Sequence, residues 1–215
     1  MSDNLFEAQY DVTKKSKLKK FYESNKIIIF SSIFIIIVFI GSFSFYLDNQ
    51  EKKKVLLSEN YLQAKIFLEK EDTESAINLL KEVIFADDPT YSSLSLFLII
   101  NQNLITDNKE LLNLFDHLLD NNKFSKEVKN LLIYKKALLS SNFVNEHELL
   151  ESIRPLINSE TEWKSHALIL LGDYFVSKGE NTKAVEFYQE ILTMKNLQKD
   201  FYNHASLQLA AITNE

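Results

Sequence analysis

The sequence predicts an all-α protein in which one N-terminal transmembrane helix precedes an α-solenoid of about four helical hairpins and a C-terminal capping helix. Three observations predict this class. The 215 residues include only three glycines and two prolines, too few for the many turns of a β-sandwich or barrel. Residues 27–47 form an uninterrupted run of 21 positions without a charge. Beyond that run, apolar residues recur at spacings of three and four, which is the period of an amphipathic helix.

The composition excludes several classes of function. Cysteine is absent, so disulfides, thiol catalysis and thiolate metal sites are excluded. The formal net charge is −6 and Arg154 is the single arginine, whereas a surface that binds nucleic acid needs concentrated Lys and Arg. We therefore expect no nucleic-acid partner, and no small-molecule substrate or cofactor is indicated.

The run at 27–47 is predicted to be a transmembrane helix, because about 20 apolar residues are needed to cross the hydrocarbon core. A cleaved signal peptide is the alternative, but its apolar stretch is only about 7–15 residues and ends in a small-x-small site. Here the run closes with Phe43, Phe45 and Tyr46, which are typical of an aromatic belt at the membrane interface. We therefore expect the anchor to be retained.

Lysines around the run predict its orientation. Six lysines lie between positions 14 and 26 against the single acid Glu23, while Asp48 and Glu51 precede three lysines on the other side. Because the flank richer in Lys and Arg stays in the cytoplasm, residues 1–26 are predicted to be a basic cytoplasmic segment. The remainder of the chain is then expected across the membrane.

Residues 48–215 are predicted to form one acidic helical domain, with 18 basic and 26 acidic side chains and a net charge of −8. Short polar stretches interrupt its apolar pattern and leave helices of about 12–16 residues joined by short turns. These interruptions fall at 69–73, 87–90, 106–108, 120–125, 141–145, 158–161 and 177–182.

The clearest repeat lies near the carboxyl end, where Gly172, Phe175, Gly179, Ala184 and Tyr188 fit a frame of about 34 residues. This arrangement resembles the tetratricopeptide repeat, in which two helices form a hairpin. The small residues are expected where the two helices touch, with the two rings beside that contact. Gly179 is expected to end the first helix in the left-handed conformation.

Weaker, degenerate copies of the frame precede this one. The residue that opens the core of each second helix is placed at Ala76, Leu111, Leu149 and Ala184, separated by 35, 38 and 35 positions. A closing helix is predicted from Phe201 to Ile212, because the exposed end of a solenoid must be covered.

No motif in the sequence indicates catalysis or a metal site. The four histidines are scattered, and neither an HExxH nor a GxSxG motif occurs. The run Asp87-Asp88-Pro89 is interpreted as a helix stop. Trp163 precedes a predicted helix and is expected to pack in the core rather than to stack on a ligand. We therefore expect a protein that is not an enzyme and that acts by binding.

A protein-binding groove is predicted on the first helices of the hairpins, which line the concave surface of helical-repeat solenoids. Its residues are taken from the outward positions 2, 5, 9 and 12 of the frame, in which Gly172 stands at position 8. Its candidate residues mix apolar and aromatic side chains with few charges, which suits an extended or partly unfolded chain. An equally weighted alternative is that several of them pack against the closing helix. The candidates are Tyr61, Lys65 and Leu68, then Leu131, Tyr134 and Leu138, then His166, Ile169, Asp173 and Val176.

The basic head KKSKLKKFYESNK, the adjoining span and the last repeat, LLGDYFVSKGENTKAVEFYQEIL, together resemble the YfgM type of membrane-anchored tetratricopeptide-repeat protein. The resemblance implies a single-pass protein of the bacterial inner membrane with a periplasmic domain. It also implies an ancillary subunit of the SecYEG translocon that works with a PpiD-like periplasmic chaperone and with emerging chains. The alternative from another class is a scaffold for cell-envelope assembly or division that binds a folded partner.

Overall fold

The computed structural model describes residues 17–213, and these residues form nine α-helices without a strand. The all-helical prediction is confirmed. The helices are α1 Lys17–Glu69, α2 Thr73–Ile84, α3 Pro89–Asn101, α4 Asn108–Asn121, α5 Lys126–Ser140, α6 Glu146–Ile157, α7 Trp163–Ser177, α8 Asn181–Leu192 and α9 Lys199–Thr213.

The chain divides into two compact units, residues 1–56 and residues 57–215, and the division falls within α1. The helical domain predicted from the sequence begins at residue 48, nine residues before the second unit. Residues 48–69 are all helical, so no loop or change of secondary structure marks a boundary at 48.

The described part of the first unit is a single helical segment with an irregularity at Asn25, whose φ of −119° and ψ of 15° lie outside the helical region. The Asn25 amide donates a hydrogen bond to the carbonyl of Phe21 at 3.0 Å, and no residue pattern predicted this kink. Nearly all side chains of the predicted span 27–47 are exposed. By length and composition α1 is able to cross a membrane, so the predicted long apolar helix is confirmed. Lys14 and Lys15 of the predicted basic segment lie outside the described residues.

Local capping by side chains explains where α2, α4, α5 and α6 begin. The side chain of Asp72 accepts a hydrogen bond from the backbone N–H of Ser75 at the start of α2, and Asp107, Ser125 and Asn145 cap α4, α5 and α6 in the same way. Each of these residues lies in or beside a polar interruption of the apolar pattern. The predicted helices of about 12–16 residues are therefore confirmed for α2–α9, which are 12 to 15 residues long.

The run Asp87-Asp88-Pro89 was interpreted as a helix stop, and that interpretation is wrong because the run begins α3. Helix α2 already ends at Ile84, and Asp88 caps α3 by accepting hydrogen bonds from the N–H groups of Thr90 and Tyr91 at 3.0 and 2.9 Å. Pro89 is the first residue of α3, a position where a missing N–H costs nothing.

Packing in the second unit follows chain order. From α2 onward each helix packs on the next, and α5 also packs on α7, as α7 does on α9. Two clusters form the core, the first built from α1 to α5 and the second from α5 to α9. Helix α5 contributes to both clusters, through Leu132 in the first and Ala137 in the second.

The positions that the repeat frame places at helix contacts are buried in every copy. In the last copy, three ring carbons of Tyr188 lie less than 3 Å from where a Cβ on Gly172 would be. The two residues are therefore direct packing partners, a closer relation than the sequence predicted. Gly179 follows the end of α7 with a φ of +74°, as predicted. The buried positions are Ala64, Ile99, Ala137 and Gly172, which occupy the same frame position on the first helices, and Ala76, Leu111, Leu149 and Ala184 on the second helices.

Candidate binding surface

A cavity of about 530 Å³ opens between α3 and α5, and we call it the α3–α5 cavity. Whereas α5 and α7 pack on each other, α3 and α5 leave this space between them. The repeat spacing is also longest here, at 38 positions between Ile99 and Ala137. The lining residues are Phe97, Ile100 and Asn101 from α3, Leu131, Lys135, Leu138 and Leu139 from α5, and Ser141 and Asn142 from the following turn.

The apolar side of the cavity is positioned by helical periodicity. Leu131, Lys135 and Leu138 are spaced by four and three positions, so they share one face of α5. The other face of α5 holds Leu132 and Ala137 in the core, fully buried. Because the core fixes the rotation of α5, the residues that face the cavity stay there. Leu138 remains 39% exposed, so part of its side chain is open to the cavity.

Polar groups are gathered at one end of the cavity. Asn101 is the last residue of α3, and Ser141 and Asn142 follow the end of α5. Among the lining residues Lys135 is the only charged one and none is acidic. The neighbouring Lys136, in contrast, forms an ion pair with Asp116 of α4.

The predicted residues of the first hairpin lie apart from this cavity. Tyr61 is half-buried, with its ring centroid 6.5 Å from that of Tyr91 in α3, so the two rings are in tilted contact. Lys65 is exposed and Leu68 is half-buried on the same helical segment. Of the ten candidate groove residues, Leu131 and Leu138 line the α3–α5 cavity.

Tyr134 and His166 belong to an aromatic cluster that includes Trp163 and Phe201. The ring centroid of Tyr134 lies 5.3 Å from that of His166, which in turn lies 5.2 Å from Trp163 and 4.7 Å from Phe201 of α9. Trp163 packs against the second core cluster, as predicted. Burial lowers the pKa of the His166 imidazole, and the charge of Glu162 partly opposes that shift. Burial, followed by the charge of Asp173, raises the pKa of Tyr134.

Asp173 is engaged by two neighbouring helices. Its Oδ1 accepts a hydrogen bond from the Tyr188 hydroxyl of α8 at 2.6 Å and one from Nε2 of His204 of α9 at 2.8 Å. Burial strongly raises the pKa of the Tyr188 hydroxyl, and the hydrogen bond to Asp173 is the second cause of this shift. Ile169 and Val176, on the same helix, pack partly buried against the second core cluster.

The structure thus separates the predicted residues into three places. Tyr61, Lys65 and Leu68 lie on the first hairpin, and Leu131 and Leu138 lie in the α3–α5 cavity. His166 and Asp173 contact the closing helix, which is the arrangement that the alternative interpretation described. The role of any of them in binding stays a prediction.

The sequence analysis missed several lining residues of the cavity, among them Phe97, Ile100 and Lys135. The available signal was the repeat frame itself. The predicted groove residues come from the first, third and fourth copies of the frame. Ile100 stands at an outward position of the second copy. Lys135 lies between outward positions and had no signal of its own.

The described residues contain a further cavity and no candidate metal site. A second cavity, of about 760 Å³, lies at the turns before α7 and α9, where Glu160 and Glu162 share the lining with Lys164 and Lys195. In the described part of the chain no group of three His, Asp or Glu side chains is arranged to hold a metal ion.

Comparison with known proteins adds no identification. No protein-family model, no curated protein and no solved structure matches this chain.

Proposed function

We propose that this chain is a membrane-anchored protein-binding module that holds an extended, largely apolar segment of a client protein in the α3–α5 cavity. The observation that carries the proposal is one cavity that the domain itself leaves open, lined by the exposed Leu138 and by the half-buried Phe97, Ile100 and Leu131. Cavities of about 300–1,000 Å³ with apolar walls and a few polar groups are the usual form of a small-molecule site, and the same features suit an apolar side chain of a client. The module acts through shape and apolar contact, without catalysis.

The proposal includes a specific arrangement of the helices as an α-solenoid. The end of α1 with α2, α3 with α4, α5 with α6, and α7 with α8 would be four hairpins similar to tetratricopeptide repeats, with α9 as the closing helix. The packing of each helix from α2 onward on the next, together with the buried repeat positions, supports that arrangement. In such a stack the first helices share one face, and α3 and α5 are the first helices of neighbouring hairpins.

The proposed localisation and partners rest on the sequence. The span 27–47 would anchor the chain in a bacterial inner membrane, with residues 1–26 in the cytoplasm and the helical domain in the periplasm. The resemblance to the YfgM type supports a place beside the SecYEG translocon and a PpiD-like chaperone. An apolar cavity on a domain at the exit of a translocon would hold chains before they fold.

Site-specific photocrosslinking in living cells tests this proposal. A photoreactive residue at Leu138, in the cavity, is compared with one at Leu207, which is 71% exposed on α9 and outside the lining. We expect adducts with secretory chains, translocon subunits or the chaperone from position 138, lost when secretion is blocked, and few from position 207. Equal labelling from both positions would contradict a binding role for the cavity. Adducts only with division or outer-membrane assembly proteins would support the scaffold instead.

A further inference from the structure

The α3–α5 cavity combines apolar walls with one unpaired cation, and this combination restricts the segment that fits. Among its nine lining residues Lys135 carries the only charge. Its side chain is exposed, and no ion pair or side-chain hydrogen bond joins it to another described residue. Other lysines of the same domain are paired across helices, as Lys81 is with Glu110 and Lys164 with Glu190.

We infer that the cavity selects segments in which a bulky apolar residue stands one or two positions from an aspartate or glutamate. The apolar side chain would enter the space beside Leu138, and the carboxylate would pair with Nζ of Lys135. This inference rests on the proposed function, since it specifies the chemistry of the client at that site.

Spacing sets the distance between the two groups of the client. Lys135 and Leu138 are three residues apart on α5, which separates them by roughly 4.5 Å along the helix axis. An extended chain advances about 3.3 Å per residue, so the carboxylate falls on the residue next to the apolar one or on the next but one. Asn101, Ser141 and Asn142, at the polar end, would hydrogen-bond the backbone of the segment.

Charge complementarity makes the preference local. The domain as a whole carries a net charge of −8 over residues 48–215, which disfavours acidic segments at a distance. With no acid in the lining, the field at the cavity is set by Lys135. An exposed ion pair is weak, so we expect discrimination of about two- to fivefold between a glutamate and a glutamine at that position of the client.

The test uses the full chain in detergent and capped fluorescent peptides, GSSLFEGSS, GSSLFQGSS and GSSLFKGSS, whose binding is followed by fluorescence anisotropy. Their ends are acetylated and amidated, so only the side chain at the sixth position differs in charge. We expect affinity in the order glutamate, glutamine, lysine, with the differences reduced at high salt. Lys135→Met should abolish the discrimination, and Lys135→Glu should reverse it.

Lys129→Glu is the matched control, because Lys129 is an exposed lysine of the same helix outside the cavity and the substitution changes the net charge equally. Circular dichroism confirms that each variant keeps its helices. Equal binding of the three peptides, or equal effects of Lys135→Glu and Lys129→Glu, would overturn the inference. The proposed function fails separately if no peptide binds, or if Leu138→Asp and Leu138→Gln both leave binding unchanged.

Discussion

The hydroxyl of Tyr188 donates a hydrogen bond of 2.6 Å to Oδ1 of Asp173, and so joins α8 to α7. The Tyr188 ring is fully buried, and a buried hydroxyl needs a partner. The same oxygen accepts the bond from His204, so one carboxylate connects three consecutive helices. Because a carboxylate only accepts, Nε2 of His204 carries the proton in this contact.

Replacing Asp173 by alanine should lower the free energy of unfolding by about 1–3 kcal/mol, because it leaves the buried Tyr188 hydroxyl without a partner. Tyr188→Phe removes the donor and should cost less, about 0.5–1.5 kcal/mol. Urea denaturation of the full chain, followed by circular dichroism, measures both. In the double variant the two losses should not add, and strict additivity would show that the hydrogen bond does not stabilise the domain.

This prediction affects how Asp173 is tested as a binding residue. A loss of client binding in Asp173→Ala has two possible causes, direct contact or a loosened α9. His204→Phe separates them, because it removes the hydrogen bond from α9 while leaving the carboxylate in place.

Gly172→Ala should destabilise the domain by about 1–3 kcal/mol, because the added methyl group would overlap the Tyr188 ring. The nearest ring carbons include Cζ at 2.7 Å and Cδ1 at 2.9 Å from the position of that Cβ. Thermal unfolding of the full chain measures the loss. Combining the change with Tyr188→Leu, which removes the ring, should recover part of the stability lost to the overlap.

Gly179→Ala is the control substitution, because the added methyl group meets no neighbour there and the cost comes from the backbone conformation alone. Nothing lies within 4 Å of a Cβ at Gly179, but its φ of +74° is costly for alanine by about 1–2 kcal/mol. Tyr188→Leu should therefore give no relief to Gly179→Ala. Relief of both glycine variants by Tyr188→Leu would contradict the assignment of steric overlap to Gly172 alone.

What could be predicted from the sequence was mostly local. Helix starts at Asp72, Asp107, Ser125 and Asn145 are encoded by a capping side chain next to an apolar period, so the polar interruptions revealed them. Gly179 was identified for the same reason, since a helix end that requires a positive φ is a local property.

What the sequence did not reveal depends on distant contacts. Asp173 occupies an outward position in the repeat frame, yet its partner His204 is 31 residues further along the chain. The α3–α5 cavity depends on how closely two helices approach, and periodicity gives the rotation of each helix without the distance between them. The kink at Asn25 arises where its side chain hydrogen-bonds a backbone carbonyl, without the proline that would have signalled it.

Stability should decrease as the pH falls below about 6.5, with His166 as one cause. Burial lowers the pKa of its imidazole in the folded chain, so below the unfolded pKa of about 6.5 the unfolded chain binds more protons. The stabilisation is thus complete above pH 6.5 and is lost as the pH falls towards the folded pKa. His166→Phe keeps an aromatic ring beside Trp163 and Phe201 but cannot titrate.

Urea midpoints of the wild type and of His166→Phe at pH 7.5 and 5.5 test this expectation. The decrease between the two values should be smaller in the variant. Between pH 7.5 and 8.5, where imidazole is neutral in both states, the two proteins should respond alike. A decrease as large in His166→Phe as in the wild type would assign the acid sensitivity to other groups.

The orientation of the chain can be altered through its lysines. Positions 14–26 carry six lysines and positions 52–54 carry three, and cationic residues near the span, far more than acids, determine which flank stays in the cytoplasm. A reporter enzyme that is active only outside the cytoplasm, fused after Glu215, should therefore be active.

Replacing Lys17, Lys19 and Lys20 by glutamine equalises the two flanks at three lysines each, so a mixed population is expected, with part of the reporter activity lost. Replacing Lys109, Lys123 and Lys126, which lie far from the span, is the matched control and should leave the activity unchanged. Full activity of a cytoplasm-only reporter at the same site in the wild type would reverse the predicted topology, and with it the placement of the α3–α5 cavity outside the cytoplasm.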